Sequence, residues 1–196
     1  MNMIEAVKHN LSNLTNFDGR DARSTFWWYV LFLLVVNFVA GMIISIPLMV
    51  SAVGSTMEAV QNGADPGNIE TVFGDEMVGK MKNQMWFSAI LGIAMVLLLA
   101  ASFVRRLHDS GKPGWIALIV IALYVGSVLF NVMNFDTMIE SIKVASNATD
   151  PQSMMRGQGE LYSYGAMGYV AYLIVIVFGV FDSNRGPNRY GEEPDY

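Results

Sequence analysis

No charged residue occurs between Arg23 and Glu58, and this is the first of four such gaps in the chain. Within the gaps lie apolar stretches at residues 26–53, 86–104, 115–133 and 162–181. Each holds 19 or more uncharged residues, the length that crosses a bilayer as a helix rather than forming one buried core helix. The first is the longest; at 1.5 Å per residue it would measure about 42 Å against a hydrocarbon core of about 30 Å. It must therefore tilt or project, and Pro47 is the natural kink or exit point. Trp27, Trp28, Trp86, Trp115, Tyr162 and Tyr164 stand at the ends of the stretches, where amphipathic rings favour the membrane interface.

Between the stretches the pattern changes to helical periodicity. Ile69, Phe73, Met77, Met81 and Met85 recur every four residues and predict an amphipathic helix feeding the second span. Phe135, Met138, Ile139 and Ile142 extend the third span in the same way. "GADPGN" and "ATDPQS" each place Asp before Pro, an N-cap followed by a proline in the first helical position. Met3, Val7, Leu11 and Leu14 share one face of a short N-terminal segment suited to lying on a membrane surface. The predicted fold is an all-α membrane protein, one integral domain over residues 1–196. Four transmembrane helices form two hairpins, with amphipathic helical extensions in two long outer loops (54–85 and 134–161) and a short N-terminal surface helix.

Composition agrees. Of 196 residues, 53% are hydrophobic and 15% charged, below the roughly 25% charged of a soluble domain; the mean hydropathy is +0.39. The net charge of −5 leaves no basic excess for nucleic acid. Absence of cysteine removes disulfides and thiolate chemistry. The polar first two dozen residues do not form a cleavable signal peptide, so the first span is expected to remain. Eight of the 12 lysines and arginines fall in the N-terminal stretch, the 105–114 loop and the C-terminal tail. The positive-inside rule then puts both termini and that loop in the cytoplasm.

Three polar clusters share this predicted cytoplasmic layer: residues 17–28, 105–115 and 181–194. They supply the candidate site residues Arg20, Arg23, Arg105, Arg106, His108, Asp109 and Arg189, with Asp182 and Arg185 nearby. Anchoring explains most of them: Arg105 and Arg106 stop insertion, snorkel into headgroups and sit favourably at a helix C-terminus. Arg105 and Asp109, four apart, suit a helical salt bridge. Ser110-Gly111 before Pro113 is helix-stop chemistry. His108 is the residue that topology alone does not require, because it titrates near neutral pH; His9 is expected to be solvent-exposed. Two histidines are too few for a metal site, and no cofactor is expected. The spans contain no ionisable proton-relay residue.

The set Phe-x-Gly-Arg-x-x-Arg-Ser-x-Phe-Trp (17–27), Arg-Arg-Leu-His-Asp-Ser-Gly-Lys-Pro-Gly-Trp (105–115) and Asn-Arg-Tyr-Gly-x-x-Pro (188–194) resembles the bacterial inner-membrane family called domain of unknown function 805. The two long outer loops depart from its usual, shorter member. The resemblance implies a small multi-span protein of the bacterial cytoplasmic membrane and transfers no catalytic residue. It singles out Gly19, Arg20, Arg23, Arg105, Arg106, His108, Asp109, Gly114, Asn188, Arg189, Tyr190 and Gly191 as positions worth testing.

Three functions compete. The first is a non-enzymatic membrane component whose Arg/His/Asp layer binds anionic lipid headgroups or a protein partner, including a second copy of itself. The second is an enzyme acting on a phosphate-bearing lipid, with arginines clamping phosphate and His108–Asp109 as acid and base. The third is a small oligomeric transporter or channel; no span carries the polar stripe a water-filled path needs.

Overall fold

The computed structural model describes residues 1–61, 63, 74–147 and 151–194, and those residues contain helices and no strand. The elements are α1 (Met3–Ser12), α2 (Arg23–Gln61), α3 (Asp75–Asp109), α4 (Ile116–Met133), α5 (Phe135–Asn147) and α6 (Pro151–Val180). Three of them, α2, α3 and α4, contain stretches long and apolar enough to cross a membrane; the apolar described part of α6, Gly165–Val180, is shorter. Pro47 is not an exit point. It lies inside α2, which continues 14 residues beyond it to Gln61, because the flanking helix-compatible residues outweigh the one backbone hydrogen bond that proline removes. The acidic residues at 65 and 150, and Ile69 and Phe73 of the four-residue repeat, lie outside the described residues. α6 does begin at Pro151.

The chain forms two compact units. The first comprises residues 1–38, 91–126 and 167–196. Its core is Phe26, Phe103, Val104, Leu107, Ala117, Val120, Ala171 and Val175, drawn from α2, α3, α4 and α6. Two close approaches shape it. A Cβ on Gly179 would stand 2.7 Å from the Phe26 ring, and one on Gly92 would meet the Tyr124 hydroxyl at 2.1 Å. The second unit comprises residues 39–90 and 127–166. There Met77, Phe135 and Ile139 are buried, and Lys82 lies over the Phe135 ring at 5.8 Å.

α1 opens with a reciprocal cap: Glu5 N donates to Asn2 Oδ1 and Asn2 N to Glu5 Oε2, both at 2.9 Å. Its buried face is Ala6 and Asn10, while Ile4 and Leu11 are exposed. The Met3–Val7–Leu11–Leu14 face, expected to lie on a membrane surface, is left partly or fully exposed. A polar side chain, Asn10, decides the docking, for a reason found at the end of α3.

Candidate functional site

All ten residues from Ala101 to Ser110 are buried. The last turn of α3 is therefore the centre of a closed polar knot. Arg105 and Arg106 follow each other, so their side chains leave the helix about 100° apart and serve different parts of the chain. Arg105 turns to the N-terminal segment. Its Nε lies 3.1 Å from Asp21 Oδ2, close enough for ionic attraction though not aligned as a hydrogen bond. Its terminal nitrogens donate to Asn10 Oδ1 at 2.7 Å, to Asn13 O at 3.0 Å and to Asn16 O. Arg106 turns to the end of α6, donating to Gly179 O at 3.1 Å, to Phe181 O, and to Asp109 Oδ2. Adjacent arginines thus supply positive charge to the carbonyl ends of two different helices, α1 and α6.

Two aspartates balance this charge. Asp21 accepts from Ser102 Oγ at 3.2 Å, and its other oxygen lies 3.1 Å from His9 Nε2. Asp109 accepts Arg20 Nε at 3.1 Å through one oxygen and Arg106 and Ser183 through the other. Arg20 continues into the tail, donating to Asn184 O at 2.6 Å, Gly186 O at 2.7 Å and Gly191 O at 3.3 Å. Arg20 is 6% exposed, Arg105 3%, and Asp21, Arg106 and Asp109 0%. Three guanidinium groups face two carboxylates, and backbone carbonyls and the Asn10 side-chain oxygen accept further donors. Burial lowers the Arg106 pKa, with Asp109 opposing the shift. The expected Arg105–Asp109 helix pair does not form: Asp109 is held by Arg106, three residues away, and by Arg20, 89 residues away.

The loop after α3 is built to present His108. Gly111, at φ +70°, closes the helix. Lys112 N donates to Leu107 O at 2.8 Å and Gly111 N to His108 O at 3.0 Å, the paired hydrogen bonds of a left-handed helix stop. His108 Nδ1 lies 3.3 Å from Gly19 O, and Gly19 offers that carbonyl from φ +88°. A ring nitrogen beside a carbonyl donates, so Nδ1 carries the proton. Burial lowers the His108 pKa, partly opposed by the Gly19 carbonyl and Asp18 and assisted by Arg189. Nε2 faces Gly114, where a Cβ would stand 3.0 Å away; only glycine leaves the imidazole this room.

The tail closes over this ring. Tyr190 stacks on His108 with centroids 3.8 Å apart and planes 6° from parallel, and the Arg189 guanidinium lies over the Tyr190 ring at 4.6 Å. Asn188 Nδ2 donates to His108 O at 2.9 Å while Asn188 Oδ1 accepts from Tyr190 N at 2.8 Å. Asn184 N donates to Asp109 O at 2.9 Å. The sequence patterns at 17–27, 105–115 and 188–194 are therefore one interlocked assembly. Their profile as a family, described as a protein of unknown function (DUF805), matches residues 14–192. The chain belongs to the DUF805 family. No curated protein and no solved structure matches the chain.

Of the seven candidate site residues, Arg20, Arg105, Arg106, His108 and Asp109 come together in this DUF805 knot. Arg23 and Arg189 do not enter it; both are exposed, Arg23 pairing with the exposed Asp182. Sequence reasoning missed Asp21, Asn10 and Ser183. Asp21 carried a usable signal, an acidic residue between arginines just ahead of a long uncharged stretch. His9, expected in solvent, instead faces Asp21. Among the described residues no group of three His, Asp or Glu side chains is placed to hold a metal ion.

Proposed function

We propose that this DUF805 chain is a non-enzymatic component of the bacterial cytoplasmic membrane, crossing it four times with both termini and the 105–114 loop in the cytoplasm. On this reading residues 54–85 and 134–161 face outward. The observation that carries the non-catalytic part is the occupancy of the knot. Asp109 holds two guanidinium groups and a hydroxyl, and His108 is committed to Gly19 and packed between Gly114 and Tyr190. An acid–base pair needs a side chain free to reach substrate, and a phosphate clamp needs unoccupied donors.

The knot is then a clamp that ties the N-terminal helix and the tail to the ends of the spans. Contact with anionic headgroups falls to the exposed cations around it: Lys8, Arg23, Lys112, Arg185 and Arg189. Each basic residue near an anionic leaflet contributes about 1 kcal/mol. Native mass spectrometry of protein extracted from mixed bilayers tests this. Replacing Arg23, Lys112 and Arg189 together by Gln should reduce co-purifying phosphatidylglycerol relative to phosphatidylcholine. An unchanged ratio in the folded variant would count against headgroup binding.

A further inference from the structure

The half of α2 beyond Gly41 presents apolar side chains that its own unit does not cover. Ile43, Ile46, Val50, Val53, Met57 and Val60 are each 52–66% exposed. They follow one another at steps of three, four, three, four and three residues. That spacing is an a/d heptad seam, the repeat of about 3.5 residues by which one helix packs along another. A surface that meets only lipid needs no such repeat.

Most of the seam also lies beyond the reach of hydrocarbon. From Trp28 to Leu48, α2 rises about 30 Å, the thickness of a bilayer core. Leu48 lines a recess with Met81, Gln84 and Phe135. Next to Met81 and Phe135 in sequence, Lys82 and Asp136 pair at 3.8 Å with both side chains exposed, and exposed charges belong in water. Val50, Val53, Met57 and Val60 stand about 3–18 Å further along α2 than Leu48. Apolar surface in water is driven to associate, a drive that is absent between helices inside lipid.

The flanks of the seam select the partner. Heptad pairing is specified by charges at the e and g positions, which here are Met42, Pro47, Met49, Gly54, Thr56 and Gln61, all uncharged. Glu58, the first charge after Arg23, falls at b, outside the contact. An identical helix therefore meets no like charge, and no complementary charge marks a different one. A second copy inserted in the same direction presents the same repeat, parallel and at the same depth, so residue meets like residue.

We infer that copies of this chain associate side by side through this seam, α2 against α2 in parallel. Val50, Val53, Met57 and Val60 each meet their counterparts outside the hydrocarbon. This rests on the membrane-embedded reading but not on headgroup binding by the exposed cations.

The chain has no cysteine, so single substitutions report the contact without background. In native membranes, oxidation by copper–phenanthroline should join the full chain into disulfide-linked pairs when it carries Val50→Cys, Val53→Cys or Val60→Cys. Counterparts across such a seam come within the roughly 7 Å between Cα atoms that a disulfide spans. Glu58→Cys, exposed but at b, lies beyond that reach and should link roughly tenfold less. Adding Val53→Glu to the Val60→Cys chain should lower the linked fraction about tenfold, as expected when one valine per copy loses its burial. These side chains point outward, so the fold of each copy tolerates the changes. Seam positions that stay unlinked, or that link no better than Glu58→Cys, overturn the proposal; lipid or a different protein on the seam would give that result. A linked fraction unmoved by Val53→Glu overturns it too. Release of the chain from membranes by alkaline carbonate would instead refute the embedded reading itself.

Discussion

The two units use opposite means to stay together. The first buries three arginines and two aspartates and joins residues as far apart as Arg20 and Gly191. The second buries Met77, Phe135 and Ile139, and the ion pair it forms between Lys82 and Asp136, at 3.8 Å, is exposed on both sides. The difference follows from what each must hold. Where helices continue or follow directly, as α4 into α5, chain connectivity and apolar contact suffice. The first unit must instead hold α1 and the tail, whose links to it run through polar groups. Directional donors supply the register that hydrophobic contact alone leaves loose. A buried charge pair adds little net stability over well-packed apolar residues, yet removing one partner strands the other.

That asymmetry sets the largest expected effect. Asp21→Ala leaves Arg105 buried without its carboxylate and should destabilise the fold by about 3–5 kcal/mol, whereas Lys82→Gln in the second unit should cost under about 0.5 kcal/mol. Denaturant titration in micelles measures both, and comparable losses would erase the distinction between the units. A smaller effect concerns pH. Burial holds the His108 pKa below its ordinary 6.5, so the unfolded chain takes up a proton before the folded one. The contribution of His108 to stability is complete above about pH 6.5 and is lost as pH falls through the lower folded value. Melting temperature should therefore drop from pH 7.5 to 5.5 more steeply in the unmodified chain than in His108→Gln. Parallel profiles would show that the Gly19 carbonyl and Asp18, which oppose the shift, offset burial and the Arg189 charge together.

The contrast between the units also explains what the sequence made legible. Runs of uncharged residues are local, so the apolar cores of α2, α3 and α4 could be read directly, and the Met77–Met81–Met85 repeat marked one face of α3. The helix stop at Gly111 was legible for the same reason. The partners of the arginines were not. Arg105 meets Asn10 across 95 residues and Arg106 meets Phe181 across 75, distances that periodicity does not reach. Their charge suggested a headgroup-facing role because interfacial arginines ordinarily snorkel. Only packing reveals that carbonyls and carboxylates meet them first. Of the two outcomes expected at Pro47, kink or exit, the exit is overturned by 14 further residues of helix.

The claim on which the rest depends is that Arg20 and Asp109 are partners inside the protein rather than ligands of the membrane. A double-mutant cycle on Arg20→Gln and Asp109→Asn, followed as unfolding free energy in micelles without anionic lipid, tests it most directly. Each single change should cost about 3 kcal/mol or more, and the pair should show a coupling of about 2 kcal/mol. Additive changes of less than about 0.5 kcal/mol each would contradict the account and return both residues to the membrane surface.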